Sequence, residues 1–507
     1  MKNIIPFILN SVWLAGFISC QPNLRQHVSL VNTENQNPGT TDWIINKVRL
    51  DTCTLKVTEA YTEGTYCRAK EIEGYCSDAS ILAGDTLNVF VSTHPASSYI
   101  VDIYRMGYYQ AQGGRHVMNL GPFSGTPQPI PKDGVKNLIE CNWEKGFDIV
   151  IPDDWVSGVY LGKMTTAPGE WQSYFIFIVK DEREAGFIFQ CSDLTWQAYN
   201  RWPAWRSLYD WTADWGRTPW FTEPGPDVGF DRPYSFYMNH LPVSVHPITN
   251  GSGEFLLWEF PLAYWMEQHG YDVTYISNMD THSDGEKLLR AKGFISVGHD
   301  EYWTQKMFDN VAEARDRGVN LLFLSGNSVS GRIYLNPSGK GQPNRVFGRI
   351  NWFENESDLM GSKSYGVGLA DWKISNPDHW IFRGTKIKKD DIIPDLVGWE
   401  FHGYPVGNIP KIQILAEDSR AGAEGKKYAA TYYETARGNF VFNAATCWWS
   451  MALSTPPGFP FPQNPRKLFT GRTIDFRKKD TRVQSITHNL MDSIVNMTQN
   501  KEESSAK

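Results

Sequence analysis

The chain lacks the motifs that mark the commonest metal and hydrolase sites. No C-x-x-C pair occurs in its 507 residues, which argues against zinc held by paired cysteines. No G-x-S-x-G elbow occurs, which argues against an α/β-hydrolase serine. There is no run of Lys and Arg, and the net charge is −7, so the basic surface that nucleic acid asks for is missing. Beyond the first 20 residues no segment reaches the roughly 20 apolar residues of a membrane span. No internal repeat is found, and helical periodicity is absent from residues 75 to 182.

What the chain does have is aromatic: 20 Trp, 23 Tyr and 27 Phe, a density that lines pockets as well as cores. Its length exceeds the roughly 250 to 300 residues at which a single core stops growing, so two domains are expected. Residues 1–20 give one positive charge and a short apolar stretch, the pattern of an export signal. Phe17-Ile-Ser-Cys20 is similar to a bacterial lipobox, with Cys20 as the lipidated residue; the plainer alternative is a secretory signal that contains Cys20. Export to the periplasm, outer membrane or cell surface follows, with a lipid as the only membrane anchor. Residues 21–50, polar and poor in large apolar side chains, read as a flexible tether. In an exported chain the remaining six cysteines permit disulfides, and Cys53 with Cys67 and Cys76 with Cys141 are the expected pairs. Cys191 and Cys447 follow strand-like runs and fit buried thiols.

Short alternating strands separated by Gly, Pro, Asn and Asp predict an all-β sandwich over residues 51–182. Residues 183–500 alternate strands with helices, which predicts an α/β domain with a parallel sheet. A final amphipathic helix carries Val483, Ile486, Leu490 and Ile494, and residues 501–507 read as disordered. In a parallel sheet the polar segments Ser192–Asn200, Ser277–His282, His299–Tyr302, Ser325–Asn327 and Asn443–Thr446 all emerge on one edge, where such sheets bind ligands. The densest of these closes Gly293-Phe-Ile-Ser-Val-Gly-His-Asp-Glu-Tyr-Trp303, an apolar strand ending in His299, Asp300, Glu301 and Tyr302.

Two mechanisms suit that cluster. Glu301 or Asp300 orients His299 as a general base, or oxygen and nitrogen ligands hold a hard cation such as Fe³⁺ that acidifies water. Asp300 has a structural alternative, capping a helix that begins near Trp303. Asn327, in the turn after the next strand, joins the catalytic candidates. Trp196, Tyr199, Trp202, Trp205, Tyr209, Trp211, Trp215 and Trp220 read either as a sugar-stacking surface or as a lid buried on the sheet.

Thr195-Trp-Gln-Ala-Tyr-Asn200, Ser207-Leu-Tyr-Asp210, Phe230-Asp-Arg-Pro-Tyr234, Ser296-Val-Gly-His-Asp-Glu-Tyr-Trp303, Gly398-Trp-Glu-Phe-His-Gly403 and Phe442-Asn-Ala-Ala-Thr-Cys-Trp-Trp-Ser450 together resemble the large (beta) subunit of N,N-dimethylformamidase, in its C-terminal domain. Tyr104-Arg-Met-Gly-Tyr-Tyr109 and Asp154-Trp-Val-Ser-Gly-Val-Tyr160 resemble the sandwich that precedes it. The resemblance implies a glutamine-amidotransferase-like α/β domain and a mononuclear iron held by two tyrosines and one glutamate. It implies hydrolysis of a C–N amide bond by metal-activated water, on a formamide-like small molecule or an N-acylated sugar. Carried over, the metal ligands are Tyr302, Tyr264 as the nearest tyrosine to the second position, and Glu356, with Glu354 and Asp358 as alternatives to it; His299 or Glu301 handles the proton. Trp196, Tyr199, Asn200, Asp231 and Arg232 in these motifs are the substrate-binding candidates. A small partner subunit or a homo-oligomer is also implied. The competing reading is a surface carbohydrate-binding protein that keeps the fold without iron.

Overall fold

The computed structural model describes residues 29–48, 68–203, 206–209, 225–235, 250–418, 427–458 and 479–505. Cys20, Cys53, Cys67, Trp205, Trp211, Trp215 and Trp220 lie outside the described residues. The first strands are β1 (Glu73–Cys76), β2 (Ser80–Leu82), β3 (Thr86–Ser92), β4 (Ser97–Met106), β5 (Gly114–Gly125), β6 (Lys145–Val150), β7 (Gly158–Ala167) and β8 (Gln172–Lys180). They form a three-stranded sheet, β1-β3-β6, and a five-stranded sheet, β2-β8-β7-β4-β5. Alternation decides the faces: Leu87, Val89 and Val91 of β3 point inward and pack with Val101 and Ile103 of β4 and Phe175 and Phe177 of β8. Each such side chain contributes about 1.5–3 kcal/mol on burial, so the expected sandwich forms from its own strands. Strand β5 is not legible in the sequence, because it pairs only with β4 at the edge and is largely half-buried or exposed.

The second sheet uses β9 (Ala185–Cys191), β11 (Val273–Ser277), β12 (Ala291–Gly298), β14 (Asn320–Ser325), β19 (Gln413–Asp418), β20 (Tyr428–Glu434) and β21 (Phe440–Asn443) in the order β11-β9-β12-β14-β21-β20-β19. Strands β11, β9, β12, β14 and β21 run parallel, and β20 and β19 continue antiparallel. The inner strands are buried on both faces, which is why they read as unbroken apolar runs. A smaller sheet, β10 (Val228–Gly229), β16 (Val346–Trp352), β15 (Gly331–Asn336) and β13 (Tyr302–Thr304), and a long hairpin of β17 (Lys363–Lys373) and β18 (Ile392–Gly403) flank the carboxyl edge.

Helices α1 (Leu30–Glu34), α2 (Asp193–Tyr199), α3 (Phe260–Gln268), α4 (Asn278–Ser283), α5 (Gln305–Asp316), α6 (Glu356–Met360) and α7 (Thr481–Ser505) complete the frame. Among the described residues, no helix is long and apolar enough to cross a membrane. Helix α5 buries Met307, Val311 and Ala314 on one face and is capped by the Thr304 side chain, which accepts from the Met307 N–H. Helix α7 runs to Ser505, past the expected onset of disorder at residue 501.

Two expectations change here. Residues 29–48 are packed rather than free: Val31, Trp43 and Ile45 are buried, and Asn35 bridges Glu267 of α3 to the backbone of Tyr108 and Tyr109. A few large side chains in a polar stretch are enough to seat it against both sheets. Cys76 and Cys141 are buried free thiols and not a disulfide. Burial pushes both thiols up, so they stay protonated and behave as small apolar groups.

Candidate active site

The parallel topology puts the carboxyl ends of β9, β12, β14 and β21 on one edge, as the sequence pattern predicts. The turn after β12 cannot start a helix at once, because Tyr302 pairs with Gly331 as the first residue of β13. The helix cap therefore falls to Thr304, and Asp300 does something else. Its carboxylate accepts from Gln190 Nε2 at 2.7 Å, Asn278 Nδ2 at 3.1 Å and Ser296 Oγ at 2.9 Å. Burial holds its pKa above the ordinary value, and these donors offset only part of that rise. Asp300 thus knots the ends of β9, β11 and β12 beneath the site.

With Asp300 turned down, Glu301 meets Tyr199 of α2 and His299 meets Glu400. Thr195 of α2 accepts from the N–H groups of Glu301 and Tyr302 at 2.9 and 3.3 Å. One turn later on the same helix Tyr199 donates its hydroxyl to Glu301 Oε2 at 2.8 Å. The chain then folds back, with Leu208 N–H donating to the Ala198 carbonyl and Arg232 donating to the carbonyls of Trp202 and Arg206. That reversal brings Tyr209 beside Tyr199, ring centroids 4.8 Å apart. The Tyr209 hydroxyl lies 3.0 Å from the Tyr199 hydroxyl and 3.1 Å from Glu301 Oε2. Two phenol oxygens and one carboxylate thus meet in a compact triangle.

On the other side of Glu301, His299 Nε2 stands 3.4 Å from Glu301 Oε2 and 2.6 Å from Glu400 Oε2. Neither ring nitrogen has hydrogen-bond geometry to a described partner, although the ring is buried. Glu400 comes from β18 and is held by Asn327 Nδ2 at 3.0 Å. His299, Glu301 and Glu400 place one ligand atom each within 4.8 Å of one another, the one such grouping of His, Cys, Asp and Glu among the described residues. Burial alone would lower the His299 pKa, but Glu400 and Glu301 outweigh it and hold the imidazole well above its ordinary value. Burial, reinforced by the charge of Glu301, raises the hydroxyls of Tyr199, Tyr209 and Tyr302 well above theirs.

The turn that carries Asn327 is built for close approach. A Cβ on Gly326 would meet the Glu400 carbonyl at 2.3 Å, so only glycine lets this turn touch β18. Asn327 and Val329 both adopt positive φ, +50° and +52°. His402, two residues beyond Glu400 on the same strand face, accepts from the Ser328 N–H at 2.8 Å and pairs through Nδ1 with Asn443 Oδ1 at 2.7 Å. With Asn443 Oδ1 as acceptor, the proton sits on Nδ1.

The remaining candidates fall elsewhere. Tyr264 packs edge-on against Tyr108 at 5.1 Å and against Phe260, its neighbour one turn back on α3, on the face that meets Trp43. Glu356 is buried in the first turn of α6, and Glu301 is the carboxylate that joins the phenols. Tyr302 bonds to the Tyr209 hydroxyl from behind. Trp196 donates to Glu259 at 2.9 Å, Asn200 bonds Gln197 and the Pro233 carbonyl, and Asp231 pairs with Arg345 at 2.6 Å. Trp196, Asn200 and Arg232 bind the α2 turn to its surroundings, Asp231 is tied to Arg345, and Tyr199 alone of the five reaches the phenol triangle. Tyr209 was visible in the sequence inside a motif and among the aromatic residues read as a sugar-stacking surface or lid, and Glu400 only as part of a motif.

Fold and site define a sheet-rich protein with a buried cluster of phenols, carboxylates and one imidazole at the carboxyl edge of a parallel sheet. The chain belongs to the family described as N,N-dimethylformamidase beta subunit-like, C-terminal, whose model matches residues 100–464. The N,N-dimethylformamidase beta subunit of Paracoccus aminophilus is 24% identical over 402 residues, covering 62% of this chain and 52% of that protein. The beta subunit from Alcaligenes sp is 22% identical over 400 residues, with the same coverages of 62% and 52%. The chain therefore spans about half the length of the curated relatives it matches. A solved structure of an uncharacterized protein from Bacillus anthracis str. Ames is similar at 18% identity and a TM-score of 0.14, over 22% of this chain and 80% of that one. At that score it carries no argument about the fold.

Proposed function

We propose that the protein is an exported, lipid-anchored amidohydrolase that cleaves the C–N bond of a formamide-like small molecule or an N-acylated sugar. The observation that carries this reading is the triangle of Tyr199, Tyr209 and Glu301 oxygens beside the His299–Glu400 pair. Both curated relatives carry the name of a formamidase subunit. A hard cation suits the donors, because phenolate and carboxylate oxygens favour Fe³⁺ over softer ions. The fit is also electrostatic: a positive ion would let the two phenols ionise and would offset the crowded carboxylates of Glu301 and Glu400. Tyr199, Tyr209 and Glu301 would hold the ion, in place of the set Tyr302, Tyr264 and Glu356. When bound, it would supply Lewis acidity and a more acidic water.

The protein's own groups do the rest. His299, kept protonated by Glu400, offers a proton to a leaving amine, and Glu400 can take one from water. The Asn327 amide holds Glu400 beside His299. The oxygen edge of the parallel sheet fits a glutamine-amidotransferase-like α/β domain over residues 183–500, preceded by the sandwich over 51–182. A small partner subunit or a homo-oligomer completes the proposal, since both relatives are named as subunits. The test is metal analysis of the purified chain together with a screen for released amine or carboxylate across formamides and N-acylated amino sugars. Bound iron with a tyrosinate charge-transfer colour, absent in Glu301→Gln, is expected. A folded, colourless, metal-free and inactive protein would instead leave the carbohydrate-binding reading.

A further inference from the structure

Tyr302 is fully buried, and its hydroxyl is used on the Tyr209 hydroxyl, which belongs to the phenol triangle. Its ring has a seat made for it. In the parallel register Tyr302 lies opposite Gly331, and a Cβ on that glycine would meet the ring at 2.5 Å. The backbone around it is fixed from two sides: Thr195 accepts from the Tyr302 N–H, and the Glu301 carbonyl accepts from Ser330 and Gly331 N–H at 3.0 Å each. Phe347, Phe353 and Val329 belong to the same buried core. Tyr209, by contrast, is only half-buried. A fully buried phenol thus reaches a half-buried one.

We propose that Tyr302 is a positioning residue that holds Tyr209 in the triangle and sets the donor strength of its oxygen by hydrogen bonding to it. This rests on the metal reading above and deepens it. A phenol that donates to a phenolate oxygen draws charge from it, as outer partners do for other ligands. Removing that bond leaves Tyr209 a stronger donor in a looser position. It leaves Tyr199 and Glu301 unaffected, since their contact does not pass through Tyr302.

The experiment loads the full chain with Fe³⁺ and compares wild type, Tyr302→Phe and Gly331→Ala by iron content, circular dichroism and visible absorption. Expected is retained iron in both variants, with the tyrosinate-to-iron band moved to longer wavelength. Gly331→Ala keeps the hydroxyl but displaces the ring, so it should shift the band in the same direction. Loss of iron from folded Tyr302→Phe would overturn the proposal, because Tyr302 would then be a ligand itself. Retained iron with an unchanged band would also overturn it, leaving Tyr302 a packing residue. A wild type that takes up no iron overturns the metal reading first, and is seen before any variant is made. If neither variant folds, resonance Raman of the iron-loaded wild type decides: a phenolate mode that shifts in D₂O supports the bond, and an insensitive one rejects it.

Discussion

Tyr199 and Glu301, 102 residues apart in the chain, are joined by a 2.8 Å hydrogen bond, and the helix that carries Tyr199 also binds the Glu301 backbone through Thr195. Helix α2 therefore grips the exit of β12 at two points one turn apart. The grip explains why an isolated strand end becomes a site. It fixes which way Glu301 points and leaves the neighbouring Asp300 to the interior.

The Glu400→Gln substitution should lower the His299 pKa. Glu400 is the largest influence holding the imidazole above its ordinary value, against the opposing effect of burial. NMR titration of the imidazole in the metal-free protein should show the midpoint moving to lower pH. An unmoved midpoint would mean that the 2.6 Å approach is not an ion pair.

Asp300→Ala should be costly to stability with no metal involved. It strands the Gln190, Asn278 and Ser296 donors in a buried place, and each unsatisfied donor costs about 1–3 kcal/mol. A loss of roughly 3–5 kcal/mol in urea unfolding is expected. A loss under about 1 kcal/mol would show that the knot is not structural.

His402 predicts an acid-side weakness. Burial first, and the nearby His299 charge, lower its pKa to about 4 from 6.5, with the Asn443 bond opposing. The folded state thus keeps His402 neutral while the unfolded chain protonates it below 6.5, so stability is full above that pH and falls as pH drops toward 4. Replacing it in His402→Gln should remove up to about 3 kcal/mol of that pH dependence. Parallel stability-versus-pH curves for wild type and variant would contradict it.

Much of this was written locally. Alternation in Leu87, Val89 and Val91 and unbroken burial in β12 and β14 give the sandwich and the parallel sheet, because the period of a strand is visible over a few residues. The edge on which the polar segments gather then follows from parallel topology alone. The sequence also placed His299, Glu301 and Asn327 at the site, and it displayed the motifs that contain Tyr209 and Glu400. It could not say which tyrosines lie against Glu301. Tyr302 was the obvious choice beside Glu301, yet adjacent residues diverge at the turn into β13, and the phenols nearest Glu301 come from α2 and the loop behind it. Nor could it supply Glu400, which arrives on a hairpin strand 99 positions later. Composition and periodicity determined the layers, because those depend on short-range pattern. The meeting of Tyr199, Tyr209, Glu301, His299 and Glu400 was decided by tertiary structure, because only the packing of distant elements sets distances of about 3 Å between their side chains.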